Sequence, residues 1–229
     1  MWSTYSVDSL VNEQGEVLAV RAGGPALFIL RVLERELISF KLRFGQQIGV
    51  DILINDKGEF GRVPRQPQRR TINAAHADWA VVSTVLDEWQ LVEPLPTMLF
   101  VDLQGFVRDG GNFGKKQPSK IIEDLAGKIF CLKGTREEIN CLSKSALGIQ
   151  KKKLLVITDG DKGVELYCRG QKQQIQITKV GGLVDTIGAG DTYLAYFVAA
   201  MFRGDTPLVA AKYAAVNTSK FLKTKILKS

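Results

Sequence analysis

From about residue 78 onward, short apolar segments alternate with longer stretches of helical periodicity, which restricts the chain to βαβ units around a parallel sheet. Trp79–Val85, Met98–Leu103, Lys128–Leu132 and Leu154–Thr158 are the strand candidates. Each is short and β-branched or aromatic, as strands covered on both faces tend to be. Ser119–Ala126, Arg136–Leu147 and Gly188–Phe202 suit helices; Gly204 and Pro207 end the last of these, and Leu208–Leu222 forms one more. The expected architecture is α/β, with a three-layer α/β/α core and a mostly parallel sheet.

The first seventy residues follow another pattern. Val17–Val20, Ile38–Phe44, Asp51–Asn55 and Glu59–Val63 are strand-like pieces divided by turns such as Asn12-Glu13-Gln14-Gly15 and Asn55-Asp56-Lys57-Gly58. Only Pro25–Glu36 reads as a helix there. A core strand with a small β-structured lid is expected, within one domain over 1–229 whose lid elements fall within about 10–22 and 41–72.

With 229 residues and 45% hydrophobic content the chain can bury a sizeable core. No apolar stretch approaches the roughly 18–20 residues of a membrane helix, and Met1–Asp8 lacks the layout of a signal peptide, so a cytoplasmic protein with no membrane partner is expected. Cys131, Cys141 and Cys168 lack metal-ligand spacing and read as reduced thiols. The net charge of +7 is scattered through Arg62, Arg65, Arg69 and Arg70, Lys151–Lys153, and Lys220, Lys223, Lys225 and Lys228, without interleaved aromatic residues. That distribution favours solvated surface over a nucleic-acid interface.

The chemistry concentrates in 185–192, Asp-Thr-Ile-Gly-Ala-Gly-Asp-Thr, just before the apolar run Tyr193–Phe202. A glycine-rich turn that opens a helix offers unpaired N–H groups at the positive end of the helix dipole, and Gly188 and Gly190 let an anion approach the backbone closely. Asp191 then lies beside the bound charge, where a carboxylate is useful if it accepts a proton or arranges a metal ion. The alternative is a helix-capping Asp in an ordinary core helix.

This string resembles the C-terminal signature of the ribokinase-like (PfkB) carbohydrate kinases, usually Asp-Thr-x-Gly-Ala-Gly-Asp. Asp8 and Gly23-Gly24-Pro25-Ala26 are similar to that family's N-terminal substrate-binding elements, Phe100–Arg108 to a mid-chain strand and loop, and Thr158-Asp159-Gly160-Asp161-Lys162-Gly163 to its nucleotide loop. The resemblance implies an ATP-dependent, Mg²⁺-requiring kinase of a small sugar or inositol-type polyol, with a nucleoside kinase or a catalytically weak regulatory protein as alternatives. It implies Asp191 as the base, and Gly188, Ala189 and Gly190 as donors to charge on the transferred phosphoryl group. Thr158, Gly160 and Gly163 would hold the nucleotide, and Asp185 and Thr186 would form a monovalent-cation (K⁺) site or steady the loop.

Lys133-Gly134-Thr135-Arg136-Glu137-Glu138 resembles the family's Asn-x-x-Glu element, with Thr135 in place of Asn. Glu138 would then help organise Mg²⁺ through water, with no direct protein ligand, although Glu137 and Glu138 equally suit helix N-terminal charges. Asp8, Gly23, Gly24 and Gln104 would bind the acceptor. Phe28 stands where the family commonly has Asn, and the stretch between Phe44 and Ala77 is compressed, which implies weak lid closure. An exposed lid edge would allow a homodimer. His76, the only histidine, and Trp2, Trp79 and Trp89 read as packing residues, though a tryptophan near the nucleotide could stack on a base.

Overall fold

The computed structural model describes residues 1–55, 58–72, 74, 77–181 and 185–226. His76 and the middle of the Asn55–Gly58 turn lie outside the described residues. Strand pairing builds an eight-stranded sheet in the order Gln171–Ile175, Val164–Cys168, Leu154–Thr158, Cys131–Thr135, Met98–Asp102, Trp79–Ser83, Trp2–Ser3 and Arg43–Phe44. The six strands from Leu154–Thr158 to Arg43–Phe44 are parallel, and the first two are antiparallel.

Successive side chains of a strand face opposite ways, and the apolar residues divide accordingly. Val81, Phe100, Cys131, Leu154 and Val156 point to one face, where the helices Pro25–Arg35, Ala189–Phe202 and Pro207–Lys223 cover them. Ala80, Val82, Leu99, Val101, Leu132, Leu155 and Ile157 point to the other, under Lys120–Leu125, Arg136–Ile139 and Lys144–Lys152. Both faces are therefore dry, which explains the continuous apolar runs of the central strands. No helix among the described residues is long and apolar enough to cross a membrane.

A second sheet, Val17–Gly23, Ser6–Val11, Ile48–Asn55 and Gly58–Arg62, stands apart from the core. Its alternating Ile48, Val50 and Ile52 face inward, packed with Val63, Val85 and Leu86, while Val17, Leu18 and Val20 of the outer strand are exposed. This sheet starts at Ser6, whereas lid elements are expected from about residue 10. It gains a hairpin of Arg108–Asp109 and Asn112–Lys116, whose Phe113 ring fills the space left by Gly61.

Other expectations shift for local reasons. Only Arg43–Phe44 of the expected Ile38–Phe44 strand pairs, and the third core strand lies at Cys131–Thr135, three residues beyond its expected start. The single helix expected over 136–147 is two, because Ser143 caps a new helix through its hydroxyl, which accepts from the Ala146 N–H at 3.1 Å.

Candidate active site

Four neighbouring parallel strands end at Ser83, Asp102, Thr135 and Thr158, at the carboxyl edge where open α/β sheets bind ligands. A cavity of about 830 Å³ opens above this edge and is roofed by Asp8, Val50 and Ile52 of the lid. The N-terminus of the Ala189–Phe202 helix points into it.

Gly188 caps that helix with φ of 81°, a left-handed conformation that any other residue would adopt only under strain. A Cβ there would also lie 2.4 Å from the Phe28 ring. Phe28, in the position where the family commonly has Asn, is thus a wall packed against the Gly188 turn. At Gly190 a Cβ would fall 2.7 Å from Lys133 Nζ, so glycine here lets an ammonium approach the first turn of the helix.

Asp191 sits in that first turn with 6% of its surface exposed, and Ser83 Oγ donates to its Oδ1 at 3.2 Å. Burial, then repulsion from Asp102, push its pKa up to about 6, against the opposing pull of Lys133, Arg108 and the Ser83 hydroxyl. A carboxylate tuned toward neutral pH is suited to take a proton near physiological conditions.

Lys133 and Asp102 form a buried ion pair of 2.9 Å, with side chains 1% and 0% exposed. The other carboxylate oxygen, Oδ1, accepts from the Gln104 N–H at 3.2 Å. Burial alone would lower the Lys133 pKa, but Asp102, Glu138 and Asp191 outweigh it and hold the ammonium charged. Arg108, stacked 4.4 Å over the Phe113 ring, and Lys116, bonded to the Phe113 carbonyl, bring two more cations to the cavity.

Asp8 rises on the strand Ser6–Val11 of the second sheet. Its Oδ1 accepts from Ser6 Oγ at 2.5 Å, and Gly23 makes room for it, since a Cβ there would lie 2.1 Å from Asp8 Oδ2. Burial raises its pKa, against the Ser6 hydroxyl, Arg21 and Arg108. Gly24 and Gln104 line the cavity and Gly23 does not.

On the opposite side Thr158, Gly160 and Gly163 turn tightly, with Gly163 at φ of 99° and its Cβ position 2.4 Å from the Ile175 carbonyl oxygen. Thr186 reaches the cavity, whereas Asp185 lies behind it. Glu138 also stands behind: its Oε2 accepts from the Thr135 N–H at 2.8 Å while Thr135 Oγ1 accepts from the Glu138 N–H at 3.3 Å, a capping box. Thr135, in place of Asn, is thus the helix cap.

None of Trp2, Trp79 and Trp89 lines this cavity. Trp79 stacks on Phe100 at 5.4 Å, and Trp89 donates its indole N–H to the Ser3 carbonyl at 3.2 Å. Ser83, Asp102, Arg108 and Lys116 were not foreseen as site residues. The spacing of Asp102, Gln104 and Arg108 after an apolar strand was the available signal for two of them; Ser83 and Lys116 have none.

Residues 104–222, more than half of the chain, match the model of the pfkB family carbohydrate kinases. A 50-residue stretch is 40% identical to a nucleoside kinase of Methanocaldococcus jannaschii, over 22% of this chain and only 17% of that protein. The fold is similar to a pyrophosphate-dependent kinase in the ribokinase family (TM-score 0.72, 16% identity, 97% of this chain and 94% of the other). It is also similar to ribokinase of Thermotoga maritima (TM-score 0.67, 15% identity, 97% and 91%). At such identities these two structures establish the shared fold, whereas the family match covers the strand that carries Lys133, the Thr158–Gly163 turn and the Gly188–Asp191 turn themselves. The chain belongs to the pfkB family of carbohydrate kinases.

Proposed function

We propose that this protein is an ATP-dependent phosphotransferase acting on a hydroxyl of a small carbohydrate-like acceptor, a sugar or an inositol-type polyol. The observation that carries this reading is Asp191: a buried carboxylate with raised pKa, in the first turn of a helix whose N-terminus faces the same cavity as Asp8.

The acceptor hydroxyl, held by Asp8 and Gln104, gives its proton to the Asp191 carboxylate as its oxygen attacks the terminal phosphorus. The bond to the bridging oxygen breaks and ADP leaves. The N–H groups of Gly188, Ala189 and Gly190, together with Lys133, meet the charge on the phosphoryl oxygens. Thr158, Gly160 and Gly163 accommodate the nucleotide, and the apolar lid face of Val50 and Ile52 excludes competing water. Mg²⁺, carried on the donor phosphates, would neutralise part of their charge; among the described residues no three carboxylate, histidine or cysteine side chains converge to hold a metal unaided.

A second donor, pyrophosphate, is favoured by the three cations Lys133, Arg108 and Lys116, which supply positive charge that a nucleotide would otherwise bring as Mg²⁺. The similarity to a pyrophosphate-dependent kinase supports the same reading. A nucleoside acceptor is supported by the short match to the nucleoside kinase. Val17, Leu18 and Val20 on the outer lid strand support a homodimer, which sedimentation would test.

The test is release of ADP from Mg·ATP, and of phosphate from pyrophosphate, against sugars, inositols and nucleosides, with Asp191→Asn alongside. Acceptor-dependent turnover that the variant abolishes supports the kinase. Donor binding without turnover on any acceptor refutes it in favour of a regulatory nucleotide-binding protein.

A further inference from the structure

Lys225 follows the Pro207–Lys223 helix and has no part in the chemistry above. Its Nζ donates to Asp185 Oδ2 at 3.0 Å and to the Ile187 carbonyl at 2.8 Å. Two aromatic faces also adjoin it, Phe28 at 5.4 Å and Phe221 at 5.2 Å from ring centroid to Nζ, and the two rings meet edge to face. The lysine side chain is 20% exposed. The main chain fixes the arrangement, because the Asp185 N–H donates to the Lys225 carbonyl at 3.2 Å. A carboxylate oxygen, a peptide oxygen and two π faces are what a weakly hydrated monovalent cation seeks.

Asp185 is also the residue that the family resemblance assigns to a K⁺ site, and the side chains present do not fit a free ion. Its Oδ2 is shared by Lys225 and by Arg21 of the lid at 3.2 Å, while Oδ1 accepts from the Ile187 N–H at 2.9 Å. Both carboxylate oxygens are engaged, and two positive charges already face one negative charge. A third cation there would meet like-charge repulsion within a few ångströms.

We propose that the Lys225 ammonium is a built-in monovalent cation, which braces the Asp185–Ile187 segment and thereby the anion-binding turn at Gly188, so that this protein needs no K⁺. Asp185 and Ile187 immediately precede that turn, and Phe28, which packs against Gly188, is one of the rings facing the ammonium. The same residues thus support both the cation and the anion hole. The activity part of the test rests on the kinase reading; the stability part does not.

The experiment compares the wild type with Lys225→Ala and Lys225→Met, each in KCl, NH₄Cl, LiCl and tetramethylammonium chloride at one ionic strength, reading melting temperature and turnover. The wild type is expected to be indifferent to the cation. Lys225→Ala, which vacates the ammonium's place, is expected to melt lower in tetramethylammonium and to recover in KCl or NH₄Cl, with turnover about tenfold higher in K⁺ than in tetramethylammonium. Lys225→Met, whose side chain still fills the space, is expected to lose stability without recovery. K⁺ activation of the wild type overturns the proposal, as does a Lys225→Ala variant indifferent to cation identity. If no acceptor supports turnover, the kinase reading fails separately and the melting temperatures still decide the role of Lys225.

Discussion

Replacing Lys133 by Met removes one half of an ion pair that has no access to water, the side chains of Lys133 and Asp102 being 1% and 0% exposed. Among the described residues Asp102 would keep one hydrogen bond, from the Gln104 N–H at 3.2 Å, and the charge of Arg108. Breaking such a pair from one side costs about 3–5 kcal/mol, because the remaining charge is left buried and uncompensated. For a chain of this size each kcal/mol lowers the melting temperature by roughly 2–4 °C, so a fall of roughly 6–20 °C is expected. The double variant Lys133→Met/Asp102→Asn removes both charges and keeps an acceptor for Gln104, and should recover most of that loss. Turnover should not recover: with the cation beside Gly190 gone, a deficit of roughly 10²–10³ remains in both variants.

The base reports the same event. Asp102 raises the Asp191 pKa and Lys133 lowers it. The single variant keeps the repulsion and loses the attraction, so the acid limb of its pH–rate profile moves to higher pH; in the double variant the two effects cancel and the limb moves back. Denaturation, the ADP-release assay and the pH profile together test the argument. A double variant that regains both stability and turnover would show Lys133 to be a core pair only, and a single variant that melts like the wild type would refute the desolvated pair itself.

Asp191 has a folded pKa of about 6 against an ordinary 3.8, so the folded state binds its proton more tightly than the unfolded state. Stability therefore falls as pH rises from about 4 to about 6, and above that window the ionised base costs the fold about 3 kcal/mol, so Asp191→Asn should be more stable than the wild type at pH 7. The same variant should lose roughly 10²–10⁴ in turnover, and in the wild type kcat/KM should rise with pH up to about 6 and then level off; a flat profile would remove Asp191 as the base. Asp8→Asn should raise the acceptor KM roughly tenfold to a hundredfold and leave the donor KM unchanged, since it weakens a charged contact to one substrate only. Thr135→Ala should cost about 1 kcal/mol through the lost cap. Its Mg²⁺ dependence should match the wild type, and a changed Mg²⁺ requirement would restore a metal-organising role to the Thr135–Glu138 pair.

What could be read from the sequence was local. Leu154–Thr158 is β-branched and dry on both faces, and its expected bounds coincide with the observed strand. The glycine turn before Asp191 needs no partner to be recognised, because consecutive residues 188–191 carry all of its chemistry. Ser83 is different: it ends a strand 108 residues away from Asp191, and only parallel pairing brings it to the same edge. No spacing along the chain encodes that meeting. The antiparallel strands Val164–Cys168 and Gln171–Ile175 carry little apolar signal because the second is polar, as a sheet-edge strand can be. Their signal was the two-residue turn Arg169-Gly170, both at positive φ (51° and 83°), as tight hairpins require.

The lid and the anion-binding turn are joined more directly than their separation in sequence suggests. Arg21, on the outer lid strand, reaches Asp185 at 3.2 Å, and Asp8, paired with Arg21 in the strand register, faces the cavity from the same sheet. If Asp8 holds the acceptor as proposed, a rigid movement of this sheet that withdraws Asp8 would also draw Arg21 from Asp185. On the proposed function, acceptor binding and the shape of the Gly188 turn would then be parts of one equilibrium. The small sheet is joined to that turn in two ways: Ile187, next to Gly188, packs against the cluster of Ile48, Val50 and Ile52, and Arg21 adds an ion pair to Asp185.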